Sequence, residues 1–327
     1  MRNSNKMLDS FYGNEKAKNT LALGLQGGRL PHALLLEGDA GCGKKTFAKI
    51  IAAAAVCEAD YKPCGVCRNC VKTADGMHPD VILYDGAVPK NLNVDAVRAL
   101  RLSASVRPNE AQRKVYILAD AQNMTPQAQN ALLKVLEEPP RGVMFVLTCD
   151  NRSRLLETIV SRVTTIRLEA PPQEDCIRAL RERVAGYSDS EYSMAAEAFE
   201  GNIGRAAASL HDDGFKKIVE AAKNIIKAAV RGSEYELLSE LAVFEGDKDS
   251  FAACLRRVRH EFAGLMRQKY LPKEDKQGRE PLDNYISALQ CGRFVGIIEQ
   301  ALYMMEQNMG YPLASAWLCA QMKNALR

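Results

Sequence analysis

What the chain lacks narrows it first. Nowhere in its 327 residues do about eighteen apolar residues run together, the length a helix needs to cross a bilayer, so no membrane span is expected. The opening stretch, MRNSNKMLDSFYGNEKAK, has no apolar core of the kind a secretory signal carries. A surplus of one charge is missing too. Against 40 acidic side chains stand 44 basic ones, a net +4, too mild to argue for nucleic acid on charge alone. Internal repeats and low-complexity tracts are also absent. These absences lead to the expectation of a cytoplasmic protein in a reducing compartment. Its ten cysteines are then thiols or metal ligands rather than disulfides.

What is present is ordinary in bulk and patterned in detail. Apolar residues make up 47% and charged residues 26%, a soluble globular balance, and the length allows about two domains, or three small ones. The run Ala33-Leu34-Leu35-Leu36, stopped by glycines, reads as a buried strand. DVILYD at 80–85, KVYILAD at 114–120, VMFVLTC at 143–149 and a short TTIRLEA near 170 continue the series. Helical patterns lie around and between them, at 17–28, KTFAKIIAAAAVC, NVDAVRALRLSASV and PQAQNALLKVLEE. Strands alternating with helices predict a parallel α/β sheet. After Pro171-Pro172 the patterns are almost all helical. Gly201 is placed to end a short helix as a C-cap, long amphipathic segments follow from 215, and 271–284 reads as a charged loop.

The stretch EGDAGCGKKTFA, 37–48, sits between a strand and a helix, the setting a phosphate-binding loop requires. Gly38, Gly41, Gly43 and Lys44 fit such a loop, but the metal-binding hydroxyl position holds Lys45, and Thr46 comes one residue late. An ammonium there cannot ligate a cation and repels one. Asp120 ends the strand where a second magnesium-site acid belongs; a helix cap is the other reading of it, and both stay open here. The next residue is Ala121, whose methyl cannot orient water. Two parts of a hydrolytic site are therefore missing, which predicts no ATP hydrolysis by this chain. Whether the loop holds ATP or ADP without magnesium, or holds nothing, stays open.

Cys57, Cys64, Cys67 and Cys70 are spaced C-x6-C-x2-C-x2-C among Pro63, Gly65 and Asn69. Four thiolates at that spacing close a tetrahedral shell, which predicts structural zinc; an iron–sulfur cluster is the weaker alternative. The other six cysteines read as small buried hydrophobes. With only Lys62, Arg68 and Lys72 as nearby cations, the segment is a poor candidate for reading DNA. Arg162, in LLETIVSRV, reads on spacing as a surface arginine at a helix end.

Several of these stretches occur together, in this order, in one family. FYGNEKAK, the phosphate loop, the four-cysteine insertion, QNALLKVLEEPP at 129–140 and TIVSR resemble the AAA+ subunits of the bacterial DNA polymerase III clamp loader. The resemblance covers nearly all of 1–210 and, more loosely, the rest. It implies a RecA-like α/β P-loop domain with a parallel sheet over 1–168, carrying the zinc module at 57–70. It further implies a small all-α lid over 169–212 and a helical collar over 213–327. The altered loop, and Ala121 where many AAA+ ATPases carry a glutamate directly after the strand-end aspartate, resemble the delta-prime branch; the gamma/tau branch keeps both features, and an active gamma/tau-like ATPase is the alternative. Ser161-Arg162 matches the start of the family's Ser-Arg-Cys motif, with Val163 in place of the cysteine. The resemblance thus implies that Arg162 is an arginine finger acting on a neighbouring subunit's ATP. The family's sensor 2 arginine lies in Gly-Ser-x-Arg, and in GNIGRA Arg205 comes one residue late. Sensor 1 falls near Thr148 to Asp150. Implied partners are gamma/tau and delta subunits in a pentamer that is part of a DNA polymerase holoenzyme, a sliding clamp, and primer–template DNA met through the complex. The amphipathic stretch 294–322 fits collar packing and an intradomain helix pair equally well.

Overall fold

The computed structural model describes residues 6–27, 30–88, 92–211, 214–270, 285–307 and 309–326. The charged stretch 271–284 and the expected boundary at 212–213 lie outside the described residues. The chain divides into two compact units, Met1–Ala179 with Asn202–Gly204, and Leu180–Gly201 with Arg205–Arg327. Among the described residues no helix is long and apolar enough to cross a membrane.

The first unit runs through α1 (Lys6–Asp9), α2 (Glu15–Gln26), β1 (Ala33–Glu37), α3 (Lys44–Val56), α4 (Arg68–Ala74) and β2 (Val81–Asp85). It continues through α5 (Val94–Ala104), β3 (Lys114–Ala119), α6 (Pro126–Glu137), β4 (Val143–Cys149), the one-turn α7 (Glu157–Val160) and β5 (Thr164–Arg167). The five strands form one parallel sheet in the order β2-β3-β4-β1-β5. This is the parallel α/β sheet that the apolar runs predict. Side chains alternate along each strand. Leu34, Leu36, Ile117 and Val146 join α3 and α2 in one core, while Leu35, Tyr116, Leu118 and Phe145 join α5 and α6 in the other. With both faces covered, β3 and β4 are buried throughout. Phe47, Ile51 and Phe145 are among the largest side chains fully enclosed, each stabilising by about 1.5–3 kcal/mol.

Local chemistry sets the element ends. Asn93 Oδ1 caps α5 by accepting from Ala96 N at 2.8 Å, and Thr125 caps α6 ahead of Pro126. The FYGN stretch is a clasp. Asn14, with φ 57°, donates from Nδ2 to Glu169 O at 2.9 Å and accepts from Glu169 N at 2.8 Å, while Phe11 packs on Phe47 with ring centroids 4.9 Å apart.

The chain passes along α8 (Gln173–Arg183) into the second unit, which is helical: α9 (Asp189–Ala198), α10 (Ile203–His211), α11 (Gly214–Arg231), α12 (Glu234–Leu241), α13 (Lys248–Tyr270), α14 (Ala288–Glu306) and α15 (Tyr311–Asn324). The turn that ends α9 uses two left-handed residues, Glu200 at φ 51° and Gly201 at φ 79°. Gly201 N donates to Ala196 O at 2.7 Å, so the glycine takes part in ending the helix as the sequence suggests, with Glu200 turning just before it. Phe262 on α13 meets Phe294 on α14 at 4.7 Å. From α15, the Lys323 ammonium donates to the carbonyls of Ala228, Ala229 and Gly232 at 2.7, 3.1 and 2.6 Å, closing the negative end of α11.

Back in the first unit, Asp80 fastens the segment before β3. It is fully buried, and its carboxylate accepts from the backbone N–H of Asn109, Glu110 and Ala111 at 2.6, 2.7 and 2.9 Å and from Asn109 Nδ2 at 3.1 Å. Burial pushes its pKa up, but these donors outweigh burial and hold it below the ordinary aspartate value. A depressed folded pKa means that this stabilisation is complete above the unfolded value, about 4, and is lost as pH falls toward the folded value. Asp80→Asn is expected to cost about 1.5–3 kcal/mol in urea unfolding near neutral pH, and to flatten the loss of stability below about pH 4. A variant with wild-type midpoints across that range contradicts the anchoring role.

Candidate functional site

Parallel strands deliver their C-terminal ends to one edge of a sheet, where open α/β folds bind ligands. At this edge lie the loop 38–43 after β1, Asp85 at the end of β2, Asp120 after β3 and Asp150 after β4. Gly43 turns the loop into α3 with φ 93°, and a Cβ there would come within 2.9 Å of Phe11 Cε2. Lys44 opens α3 and is buried. Its ammonium folds back on the chain, donating to the carbonyls of Gly38 and Asp39 at 2.6 and 2.9 Å and pairing with Asp150 Oδ1 at 2.6 Å.

Lys45 reaches the other two carboxylates. Its Nζ lies 2.8 Å from Asp120 Oδ2, and 2.9 and 3.2 Å from the two oxygens of Asp85. The bond from Lys45 is the largest influence holding Asp85 below its ordinary pKa. Burial draws Lys45 down, but the two carboxylates more than offset it and raise the ammonium's pKa. Asp120 has a left-handed backbone at φ 53°, which aspartate tolerates better than most residues, and its N–H donates to Thr148 Oγ1 at 2.9 Å. It stands at the N-cap of the turn 121–123, yet its side chain makes no capping bond; the carboxylate is aimed at Lys45 instead. Ala121 is wholly buried.

A magnesium ion takes octahedral oxygen ligands at about 2.0–2.1 Å. Here an ammonium fills the space between Asp85 and Asp120, position 45 brings no oxygen, and Thr46 is exposed one residue further along α3. These residues do not fit a magnesium–nucleotide site. The loop is also engaged from its other side. Gly204 N donates to Gly41 O at 3.1 Å and Asn202 Nδ2 to Ala40 O at 2.9 Å. A Cβ on Gly204 would come within 2.6 Å of Gly41 O. The next residue, Arg205, pairs with Asp249 at 3.5 Å.

Arg162 follows α7 and is about one-third exposed. Its Nη2 meets Glu137 Oε1 at 2.7 Å, and its Nη1 donates to Thr158 O at 2.8 Å and Ser161 Oγ at 3.2 Å. None of these partners belongs to the loop. Gln129, buried on α6, accepts from Leu156 N at 2.8 Å and donates to Met124 O at 3.2 Å, so it fixes the segment that begins α7. Sequence reading singled out neither Gln129, Glu137 nor Gly204. For Asp85 a signal existed, an acid closing a strand run, as it does for Asp120.

The four cysteines of the 57–70 segment do come together. All their sulfurs lie within 4.8 Å of one another, with Cys64–Cys70 and Cys57–Cys67 at 3.9 Å. A tetrahedral zinc with Zn–S near 2.3 Å has sulfur–sulfur edges of about 3.8 Å, so the donor set has the right size and chemistry. Backbone N–H groups of Cys67 and Cys70 donate to the sulfurs of Cys64 and Cys67 at 3.3 and 3.5 Å. Burial pushes the Cys64 thiol up, but donors from Val66 and Cys67 outweigh it and bring the thiol down to about 7.

Part of the chain is similar to known proteins. A family described as DNA polymerase III, delta subunit, matches residues 13–172. DNA polymerase III subunit delta-prime of Bacillus subtilis is 40% identical over 141 residues, 42% of this chain and 42% of that protein. Subunit tau of Escherichia coli is 34% identical over 206 residues, 61% of this chain and 32% of that protein. The chain thus spans less than half the length of either relative. A solved structure of the RuvB Holliday junction branch migration motor of Thermotoga maritima is 15% identical, with a TM-score of 0.45 over 86% of this chain and 85% of that one. The match over 13–172 and the phosphate loop at the edge of a β2-β3-β4-β1-β5 sheet converge: over this part the chain is that of the DNA polymerase III clamp-loader AAA+ subunits.

Proposed function

We propose that the chain is a delta-prime-type subunit of the clamp loader, one that does not turn over ATP in its own loop. The observation that carries this reading is the Lys45 ammonium held by both Asp85 and Asp120. Any magnesium-dependent step would first have to displace it, and the buried Ala121 then offers no group to orient water. The gamma/tau-like alternative needs both of these obstacles removed. The purified chain is expected to release no phosphate from magnesium–ATP above the background of a Lys44→Ala variant; turnover that disappears in that variant would favour the alternative.

In this reading the chemistry is next door. Arg162 serves ATP bound on an adjacent gamma/tau subunit, within a pentamer that also holds delta, engages a sliding clamp and acts on primer–template DNA. The half-exposed pair with Glu137 is compatible with such a role, because surface ion pairs stabilise by only about 0–1 kcal/mol. A neighbour's γ-phosphate therefore competes easily for the guanidinium, which matches phosphate oxygens in a bidentate fork. Arg162→Ala is expected to leave assembly with gamma/tau and delta intact. Turnover at the adjoining site should fall by ~10³-fold or more, read as DNA-stimulated ATPase of the reconstituted complex. Unchanged turnover rules the role out.

Cys57, Cys64, Cys67 and Cys70 would hold zinc as a structural ion. Bound there, zinc supplies a closed four-thiolate crosslink with no position left for water, and the chain's residues do no chemistry at it. Protein purified without chelators is expected to carry about one zinc per chain by elemental analysis. Cys64→Ser should lose most of that zinc and lower the melting temperature, at about 2–4 °C for each kcal/mol lost. Metal-free wild-type protein with an unaltered melt, or a visible iron–sulfur chromophore, would overturn the assignment.

A further inference from the structure

The failure of the loop to fit magnesium has a positive content. Three carboxylates, Asp85, Asp120 and Asp150, converge on the loop from the ends of three parallel strands, and they face two ammoniums. Lys44 is committed to Asp150 and to two loop carbonyls. That leaves Lys45 as the cation for Asp85 and Asp120, and it is placed within hydrogen-bond distance of three of their oxygens. The arrangement differs from a lesion that merely blocks a metal. A lysine at the second residue of a helix, already near the positive end of the dipole, gains nothing from the helix there. Its side chain, 42% exposed, is nonetheless bonded on two sides.

We infer that Lys45 is a resident cation: its ammonium permanently takes the position between Asp85 and Asp120, joining the ends of β2 and β3 to the start of α3 and making the state of the loop independent of divalent metal. The inference rests on the reading that this loop is not a hydrolytic site, and it deepens that reading. Lys45 acts here as a positioning residue. It holds two strand ends where a magnesium ion would otherwise hold them, and it neutralises the same carboxylates. Replacing the ammonium by a hydroxyl at this position restores an oxygen ligand beside two carboxylates, the ligand type that hard divalent cations take. Asp85 and Asp120 then become a divalent-cation site.

The test uses the full-length chain with Mn²⁺ as the probe, titrated in the presence of ADP and followed by electron paramagnetic resonance. Wild type is expected to take up no manganese at this edge. Lys45→Thr should bind it at least about tenfold more tightly, a gain of about 1.4 kcal/mol by the conversion of one decade, and adding Asp120→Asn should abolish the gain. A folded Lys45→Thr that binds no more manganese than wild type overturns the inference. A second measurement does not depend on that variant folding well. Lys45→Met should lower the melting temperature, and Asp120→Asn in the same chain should restore part of the loss, because it removes a carboxylate left without its cation. Strictly additive losses overturn the inference as well. The two claims fail separately: magnesium–ATP cleavage by the wild-type chain defeats the non-hydrolysing reading, whereas an inactive wild type whose Lys45→Thr variant ignores manganese defeats only the resident cation.

Discussion

The constraint on which the rest of the first unit depends is the gathering of like charge at one sheet edge. A parallel sheet brings the C-terminal ends of β2, β3 and β4 side by side, and in this chain each of those ends carries an aspartate within two residues. Carboxylates so placed raise one another's pKa unless a cation stands among them. Two adjacent lysines supply it. Successive residues on a helix point about 100° apart, so Lys44 and Lys45, at the first turn of α3, reach opposite sides of the loop. One takes Asp150 and the loop carbonyls, the other Asp85 and Asp120. The backbone follows: Asp120 accepts a left-handed φ of 53° and is steadied by Thr148, and the glycines at 41 and 43 bend the loop around the lysines at φ 85° and 93°.

Helix α3 carries this arrangement to a second centre. Its thirteen residues span about 20 Å, with the loop at one end and Cys57 directly after the other. Asn69 Nδ2 donates to Val56 O at 3.0 Å, covering a carbonyl at the end of α3, while Cys70 Sγ approaches Ala53 O. The four-cysteine segment therefore does for the C-terminal end of α3 what the lysine–aspartate pairs do for its start. Ala52, Ala53, Ala54 and Val56 are almost fully buried, so the second half of α3 is enclosed as completely as its first.

Much of this was legible in the residues. Apolar runs bounded by glycine, proline or charged residues marked β1, β3 and β4, because buried parallel strands leave no polar face to confuse the pattern, while β2 is partly buried and the edge strand β5 carries mostly polar residues. The phosphate loop and the four cysteines were legible because their chemistry is local: spacing within a few residues decides it. What was not legible depends on contacts between distant positions. Lys45 could be seen to lack a hydroxyl, but its partners are 40 and 75 residues away and are brought to it only by strand order. Glu137 was likewise hidden from Arg162, and Gln129 from Leu156, since each pair bridges α6 and the segment around α7. The helix end at Gly201 was legible because glycine is the usual left-handed residue, but the left-handed Glu200 beside it was not.

Gly204 bears on whether the losses at this site are separate or one. Counted from Gly201, the family's Gly-Ser-x-Arg pattern puts its arginine at position 204, and this chain has glycine there. The reason is steric. The backbone of 204 lies directly on Gly41, close enough that even a Cβ would stand 2.6 Å from the Gly41 carbonyl and 2.7 Å from its Cα. An arginine at 204 and the bond from Gly204 N to Gly41 O exclude each other. The carbonyls of Ala40 and Gly41 are taken by 202–204, those of Gly38 and Asp39 by Lys44, and the carboxylates by the two lysines. Restoring the hydroxyl at position 45 would free Asp85 and Asp120, but the loop carbonyls would still be held by Lys44 and by 202–204. At this edge the carboxylates, both ammoniums and four loop carbonyls are thus all bonded to the chain itself.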